Sequence, residues 1–196
     1  AQSALDDDGF APRFDQLAAE CDALVRAMQF DFLFDASNRL LTIGYHPDSH
    51  SRDDGCYDLL ASEARLAVFI AIAKGDVPNT TWFRLGRQLV RADGSPVMVS
   101  WSGSAFEYLM PLLVMRSFAG TLLDQSHRSA VRAQIAHGHE HDVPWGVSES
   151  AYNLRDKHLT YQYRAFGIPA LALKRGLARE LVIAPYATAL AALVQP

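Results

Sequence analysis

Cysteine is nearly absent. The chain holds two, Cys21 and Cys56, among 196 residues. Neither lies in a metal-binding or redox spacing, so a disulfide framework is excluded and a reducing compartment is expected. An excess of basic residues is missing as well. The 18 Lys and Arg against 22 Asp and Glu give a net charge of −4. Surfaces that bind nucleic acid are strongly basic, so no nucleic acid is expected as a partner. Long apolar runs are missing too. The longest, Leu66–Ala73, is far too short to span a bilayer. The first residues lack the basic-then-apolar order of a secretory signal. There is no Gly-x-Ser-x-Gly elbow and no Gly-rich loop opening a helix, which leaves serine-hydrolase and phosphate-loop chemistry without support.

What is present suits one globular domain with a real core, since 49% of the residues are hydrophobic and 20% are charged. Most of it reads as helix. Phe14–Phe30 carries Leu17, Cys21, Leu24, Val25 and Met28 on one face. A small β-hairpin is expected next, with Phe32–Phe34 and Leu40–Ile43 as strands about a turn at Asp35–Arg39. Residues 46–56 read as a polar surface loop. Helices are then expected over Leu59–Lys74, closed by Gly75, over Thr80–Val90, and over Phe106–Phe118 with Pro111 inside it. Another is expected over Asp124–Gly138 with Asp124 or Ser126 as N-cap, and others near Ser150–Asp156, over Ala170–Gly176 and over Pro185–Val194. Arg91–Gly94 reads as a turn, and Tyr161-Gln162-Tyr163 as a strand with both phenols on one face. Residues 1–12 read as an acidic loop with a turn at Asp6–Gly9. The last helix stops without a C-cap signal, and the chain is expected to be a piece of a longer polypeptide.

Three short runs concentrate the chemistry. Glu149 lies in Pro144-Trp-Gly-Val-Ser-Glu-Ser-Ala-Tyr152, among small hydroxyls, an indole and a phenol. Glu63 lies in Tyr57-Asp-Leu-Leu-Ala-Ser-Glu-Ala-Arg65, and Glu107 follows Trp101-Ser-Gly-Ser-Ala-Phe106. Aromatic faces stack on sugar rings, hydroxyls and carboxylates bond their OH groups, and glycoside chemistry needs two carboxyl groups. Taken singly, each Glu is a salt-bridge or cap candidate; a carbohydrate site explains all three together. Asp58 reads as a helix cap or dipole partner. Tyr57, Trp101, Trp145, Tyr152, Tyr161 and Tyr163 supply aromatics in or beside loops, whereas Trp82 reads as core. The run His137-Gly-His-Glu-His-Asp142 departs from the His-x-His-x-Asp-His order of metallo-hydrolases, and no distant His supports it. A solvated helix end is expected there, with no metal and no cofactor.

Five motifs in order give a resemblance. They are Tyr57–Arg65, Trp82-Phe-Arg-Leu-Gly-Arg87, Trp101–Pro111, Pro144–Asn153 and Tyr161-Gln-Tyr-Arg-Ala-Phe-Gly167, continued by Lys174–Leu177 and Ala184–Thr188. Together they resemble the glucoamylase-like domain of bacterial cyclic β-1,2-glucan synthases, over roughly residues 28–196. The resemblance implies a mainly α fold, part of an (α/α)6 toroid, and residues 1–196 as a fragment of one such domain. It implies a β-1,2-glucan substrate and retaining transglycosylation that cyclises it. Endo-hydrolysis and glycan binding without turnover stay open beside that. The implied acid/base is Glu149 and the implied nucleophile Glu63, with Glu107, Trp101, Trp145, Tyr57, Tyr152, Tyr161, Tyr163 and Arg65 toward substrate. The implied neighbours are glycosyltransferase and phosphorylase-like domains of the same polypeptide, an inner-membrane protein whose domain here is soluble and cytoplasmic.

Overall fold

A computed structural model describes residues 10–177 and 180–195; the expected turn at Asp6–Gly9 lies outside them. The architecture is mixed α/β, which overturns the mainly α, partial-toroid expectation. Among the described residues, six α-helices alternate with eight short strands paired into four separate antiparallel two-stranded sheets. The helices are α1 (Ala11–Ala27), α2 (Arg65–Lys74), α3 (Thr80–Arg84), α4 (Ala105–Leu109), α5 (Leu122–Glu140) and α6 (Pro185–Ala191). The sheets pair β1 (Phe34–Asp35) with β2 (Leu40–Leu41), β3 (Tyr45–His46) with β4 (Ser51–Arg52), β5 (Leu89–Ala92) with β6 (Ser95–Met98), and β7 (Ser150–Arg155) with β8 (Tyr161–Arg164). Helices α3, α4 and α6 run 5, 5 and 7 residues, too short to be the long helical hairpins of a toroid.

Each departure has a local cause. The expected helix from Leu59 begins only at Arg65, because residues 59 and 60 pair with Gly86: Leu59 bridges it and Leu60 N–H donates to its carbonyl at 3.0 Å. Asp58 therefore caps no helix. The expected Thr80–Val90 helix stops at Arg84, and its end becomes strand β5. The β5–β6 turn, Asp93-Gly94, has φ of 46° and 71°, the two left-handed residues of a tight hairpin. Residues 150–155 form a strand rather than a short helix, paired to the expected strand at Tyr161. Residues 169–171 make one 3-10 turn where a helix over Ala170–Gly176 was expected. Pro111 ends α4 in a 3-10 turn over residues 110–113, as a ring without an N–H dictates.

Helix α5 is the structural axis. Thr121, not Asp124 or Ser126, caps it by accepting the Asp124 N–H at 3.2 Å. Its buried face is made of small or polar residues, Ser126, Ser129, Ala130, Ala133 and Gln134 among them, so neighbouring backbone comes close. Strand β6 lies along it, with Met98 N–H donating to Ser126 Oγ at 3.1 Å. Helix α4 packs on its other side, and α6 packs on α4. Val68, Leu85, Val97, Met98, Tyr108, Leu109, Val131, Val147, Phe166 and Leu171 fill the core between these elements. Helix α1 stays outside it: none of its residues is buried, although its spacing gives an apolar stripe. Lys74 Nζ holds its end by donating to the Val25 and Arg26 carbonyls at 3.1 and 2.9 Å.

Candidate active site

Glu107 organises the site from below. It is 4% exposed, and its carboxylate accepts from Ser100 Oγ (2.9 Å), Trp101 N–H (3.1 Å), Ser102 N–H (3.1 Å), Ser102 Oγ (2.6 Å) and Ser104 N–H (3.0 Å). Ser104 and Glu107 also form a capping box at the start of α4. The small hydroxyls of the Trp101–Glu107 run thus serve this carboxylate, and folding the loop over it turns the Trp101 ring outward, 60% exposed. Two oxygens with about four lone-pair positions are saturated by these donors. These bonds let Glu107, expected toward substrate, hold the Trp101 loop in place while it also lines the cavity.

Arg65 ties this loop to the segment carrying Glu63. Its guanidinium is 2% exposed. It donates to the carbonyls of Ser62 (3.0 Å), Glu107 (2.8 Å) and Tyr108 (2.6 Å), and to His127 Nε2 (3.2 Å). Burial lowers its pKa to about 10, so it remains a cation at neutral pH. Burial, then the Arg65 charge, lowers the His127 pKa to about 4. That imidazole is neutral and can accept from Arg65. Arg65 is therefore a buried staple rather than a sugar ligand.

Glu63 stands on the turn before α2, half-buried, with Ser62 Oγ donating to Oε2 at 3.3 Å. Burial raises its pKa above the ordinary 4.5, and the nearby charges of Glu107 and Glu149 raise it further. Glu149 is held from behind. The Gln134 side-chain amide pairs with Val147 like a strand: Gln134 Nε2 donates to Val147 O at 2.8 Å, and Val147 N–H donates to Gln134 Oε1 at 2.7 Å. Ser148 Oγ accepts the Phe106 N–H at 2.9 Å, joining the Glu149 run to α4. The Tyr163 hydroxyl donates to Glu149 Oε2 at 2.8 Å, and the Tyr186 hydroxyl donates to the Glu149 carbonyl at 2.9 Å. Burial and the adjacent carboxylates push the Tyr57, Tyr163 and Tyr186 phenols up, so all three are neutral donors.

A cavity of about 360 Å³ opens beside Glu63, lined by Tyr57, Asp58, Ser62, Trp101 and the Glu107 side, with Ile43 and Cys56 at its rim. Of the expected residues, the fold gathers Glu63, Glu107, Trp101, Tyr57, Glu149, Tyr163 and Arg65 into one neighbourhood. It sends the others elsewhere. Trp145 packs against the core, its Cβ lying 2.8 Å from where a Cβ on Gly138 would stand. Tyr152 packs edge-on to Phe166 at 5.2 Å. Tyr161 lies down the hairpin under the Arg155 guanidinium, 4.3 Å from its ring centre. Tyr186 and Ser148 were missed; Tyr186 directly follows Pro185 at the start of α6, where a site residue on a helix N-terminus is a readable signal.

The histidine run is divided by the helix. His137, Glu140 and His141 gather on one side of the last turn of α5, while His139 faces a separate groove beside Arg128 and Arg132.

The chain is similar in sequence to known proteins. Residues 56–196 match the family model described as putative glucoamylase. A cyclic β-(1,2)-glucan synthase, NdvB, from Rhizobium meliloti (strain 1021) is 53% identical over 170 residues, which is 87% of this chain and 6% of that protein. The chain thus corresponds to a small part of that relative. Among the described residues no helix is long and apolar enough to cross a membrane.

Proposed function

Since the chain belongs to the putative glucoamylase family, we propose that it forms part of a domain that acts on β-1,2-glucan by retaining transglycosylation, closing a linear chain into a ring. Glu149 and Glu63 are its catalytic carboxyls. In this reading Glu149 protonates the departing glycosidic oxygen, Glu63 attacks the anomeric carbon, and Glu149 then deprotonates the acceptor hydroxyl of the same glucan. The Trp101 ring and the Tyr57 phenol form the sugar platform; Glu107 holds the Trp101 loop, and Arg65 ties that loop to the segment carrying Glu63. Glycosyltransferase and phosphorylase-like domains of the same polypeptide would make and trim the substrate.

The observation that supports this reading is that two carboxyls from distant runs come into one neighbourhood. Glu63 lies beside the cavity, and Glu149 is close enough for its charge to act on Glu63, with a tyrosine hydroxyl on Glu149. The raised pKa of Glu63 favours a second reading with the two roles exchanged, because the group that holds the proton is the natural donor. Hydrolysis, with water as acceptor, uses the same pair.

The test takes the longer polypeptide with linear β-1,2-glucan. Glu149→Gln and Glu63→Gln are each expected to abolish cyclic product while the protein stays folded. Azide is expected to rescue Glu63→Ala partly, giving a glycosyl azide. A glycosyl azide of inverted configuration is expected from Glu63→Ala and one of retained configuration from Glu149→Ala; the reverse assignment would establish the exchanged roles. Turnover surviving Glu63→Gln would remove Glu63 from the reaction, and linear products alone would make the activity hydrolytic.

A further inference from the structure

The last turn of α5 places three metal donors together, away from the cleft. His137, Glu140 and His141 occupy positions i, i+3 and i+4, which share one helix face. Their donor atoms lie within 4.8 Å of one another. The two imidazole centres are 4.1 Å apart, with the rings tilted by 42°. We propose that these three side chains bind one divalent transition-metal ion, of the class that zinc represents.

The tautomer supports it. His141 Nδ1 lies 2.9 Å from the His137 carbonyl. A carbonyl can only accept, so Nδ1 carries the proton and Nε2 keeps its lone pair for an ion. This is the orienting hydrogen bond that metal-bound histidines characteristically make. The carbonyl end of a helix also favours a cation. Two imidazoles and one carboxylate, with room for water, make the donor set that zinc, nickel and copper accept; calcium and magnesium prefer oxygens throughout. A tetrahedral ion with bonds of about 2.0 Å needs donors about 3.3 Å apart. Glu140 and His141 are exposed, so small side-chain rotations close the gap.

The site would also act on its surroundings. Gly138, inside the same turn, backs directly onto Trp145, with the Trp145 Cα 3.0 Å from where a Cβ would stand. An ion clasping this turn would stiffen the start of the loop that runs to Glu149. The proposal does not depend on the glycan reading.

The experiment uses the untagged, chelator-treated chain titrated with zinc chloride by calorimetry, with thermal denaturation in parallel. One equivalent should bind saturably and raise the melting temperature, as binding to the folded state alone requires. His137→Ala and His141→Ala should each weaken binding about tenfold or more, since even an outer partner of a metal ligand contributes that much. Glu140→Gln should weaken it less, and His139→Ala should leave it unchanged. His139, Glu140 and His141 are exposed and His137 is half-buried, and circular dichroism checks that each variant folds. Zinc binding that survives both His137→Ala and His141→Ala, a dependence on His139, or no saturable binding at all would overturn the proposal.

Discussion

Burial and the nearby carboxylates of Glu107 and Glu149 raise the Glu63 pKa above 4.5, and this couples its ionisation to stability. An acid whose pKa rises on folding stabilises the fold in its protonated form. That contribution is complete below its unfolded pKa and is lost as pH rises through the higher folded value. At pH 7 Glu63 is therefore a charge the fold would rather lack. Glu63→Gln keeps the shape and removes the charge. Its melting temperature is expected to exceed that of the native chain at pH 7 and to match it below pH 4.5. His127 works in the opposite direction. Its pKa falls from 6.5 to about 4 on folding, so its stabilisation is present above 6.5 and is lost as pH drops toward 4. Both proteins share that loss, so their difference isolates Glu63. Thermal melts of the pair between pH 4 and pH 7 make the measurement; equal midpoints at pH 7 would mean that the Glu63 charge is not costly.

At the scale of elements, the closest approach is backbone on backbone. A Cβ on Gly167 would stand 1.9 Å from the Ser102 carbonyl oxygen and 2.6 Å from the Gly103 carbonyl carbon, where neither partner is a movable side chain. Gly167→Ala is expected to destabilise the fold by about 3 kcal/mol or more, the range of severe overpacking. At roughly 2–4 °C per kcal/mol for a chain of this size, a thermal melt resolves this readily. Helix α1 gives the opposite expectation. Leu17 and Leu24 are 56% and 67% exposed, so Leu17→Ser and Leu24→Ser should each change stability by no more than about 0.5 kcal/mol. The sequence announces α5 because it is long and its small-residue face is periodic, and it announces the first hairpin because its turn residues are polar. It conceals the short elements. Leu89-Val90 and Tyr152 satisfy helical and strand spacing equally over so few residues, and only pairing with β6 and β8 decides them. That the runs carrying Glu63 and Glu149 would come together was legible from residue chemistry. The duty of Glu107 was not, because nothing in a run of serines says whether they face a sugar or a buried carboxylate.

As a whole, the molecule carries more surface than its mass requires. It exposes 12577 Å², where a compact chain of 21.6 kDa exposes about 9,200 Å². Many large hydrophobic side chains are exposed. Phe14, Leu17 and Leu24 line α1, Phe69, Phe83 and Phe118 line a groove formed by α2, α3 and the residues after α4, and Leu113 and Val114 are exposed as well. Exposed apolar surface on this scale drives association. The chain on its own is expected to self-associate with rising concentration in sedimentation velocity and to bind a hydrophobic dye; a monodisperse, dye-silent monomer at high concentration would contradict this. The Arg65 staple has a consequence in time. Its bonds to Glu107, Tyr108 and His127 cross 42, 43 and 62 residues, whereas the β5–β6 hairpin and the α5 helix close over short distances and form early. The Glu63 segment does not meet the Glu107 loop until those remote segments have come together. During refolding, recovery of the cleft should therefore lag behind recovery of helical signal, and under mild denaturant the cleft should be lost while α5 persists.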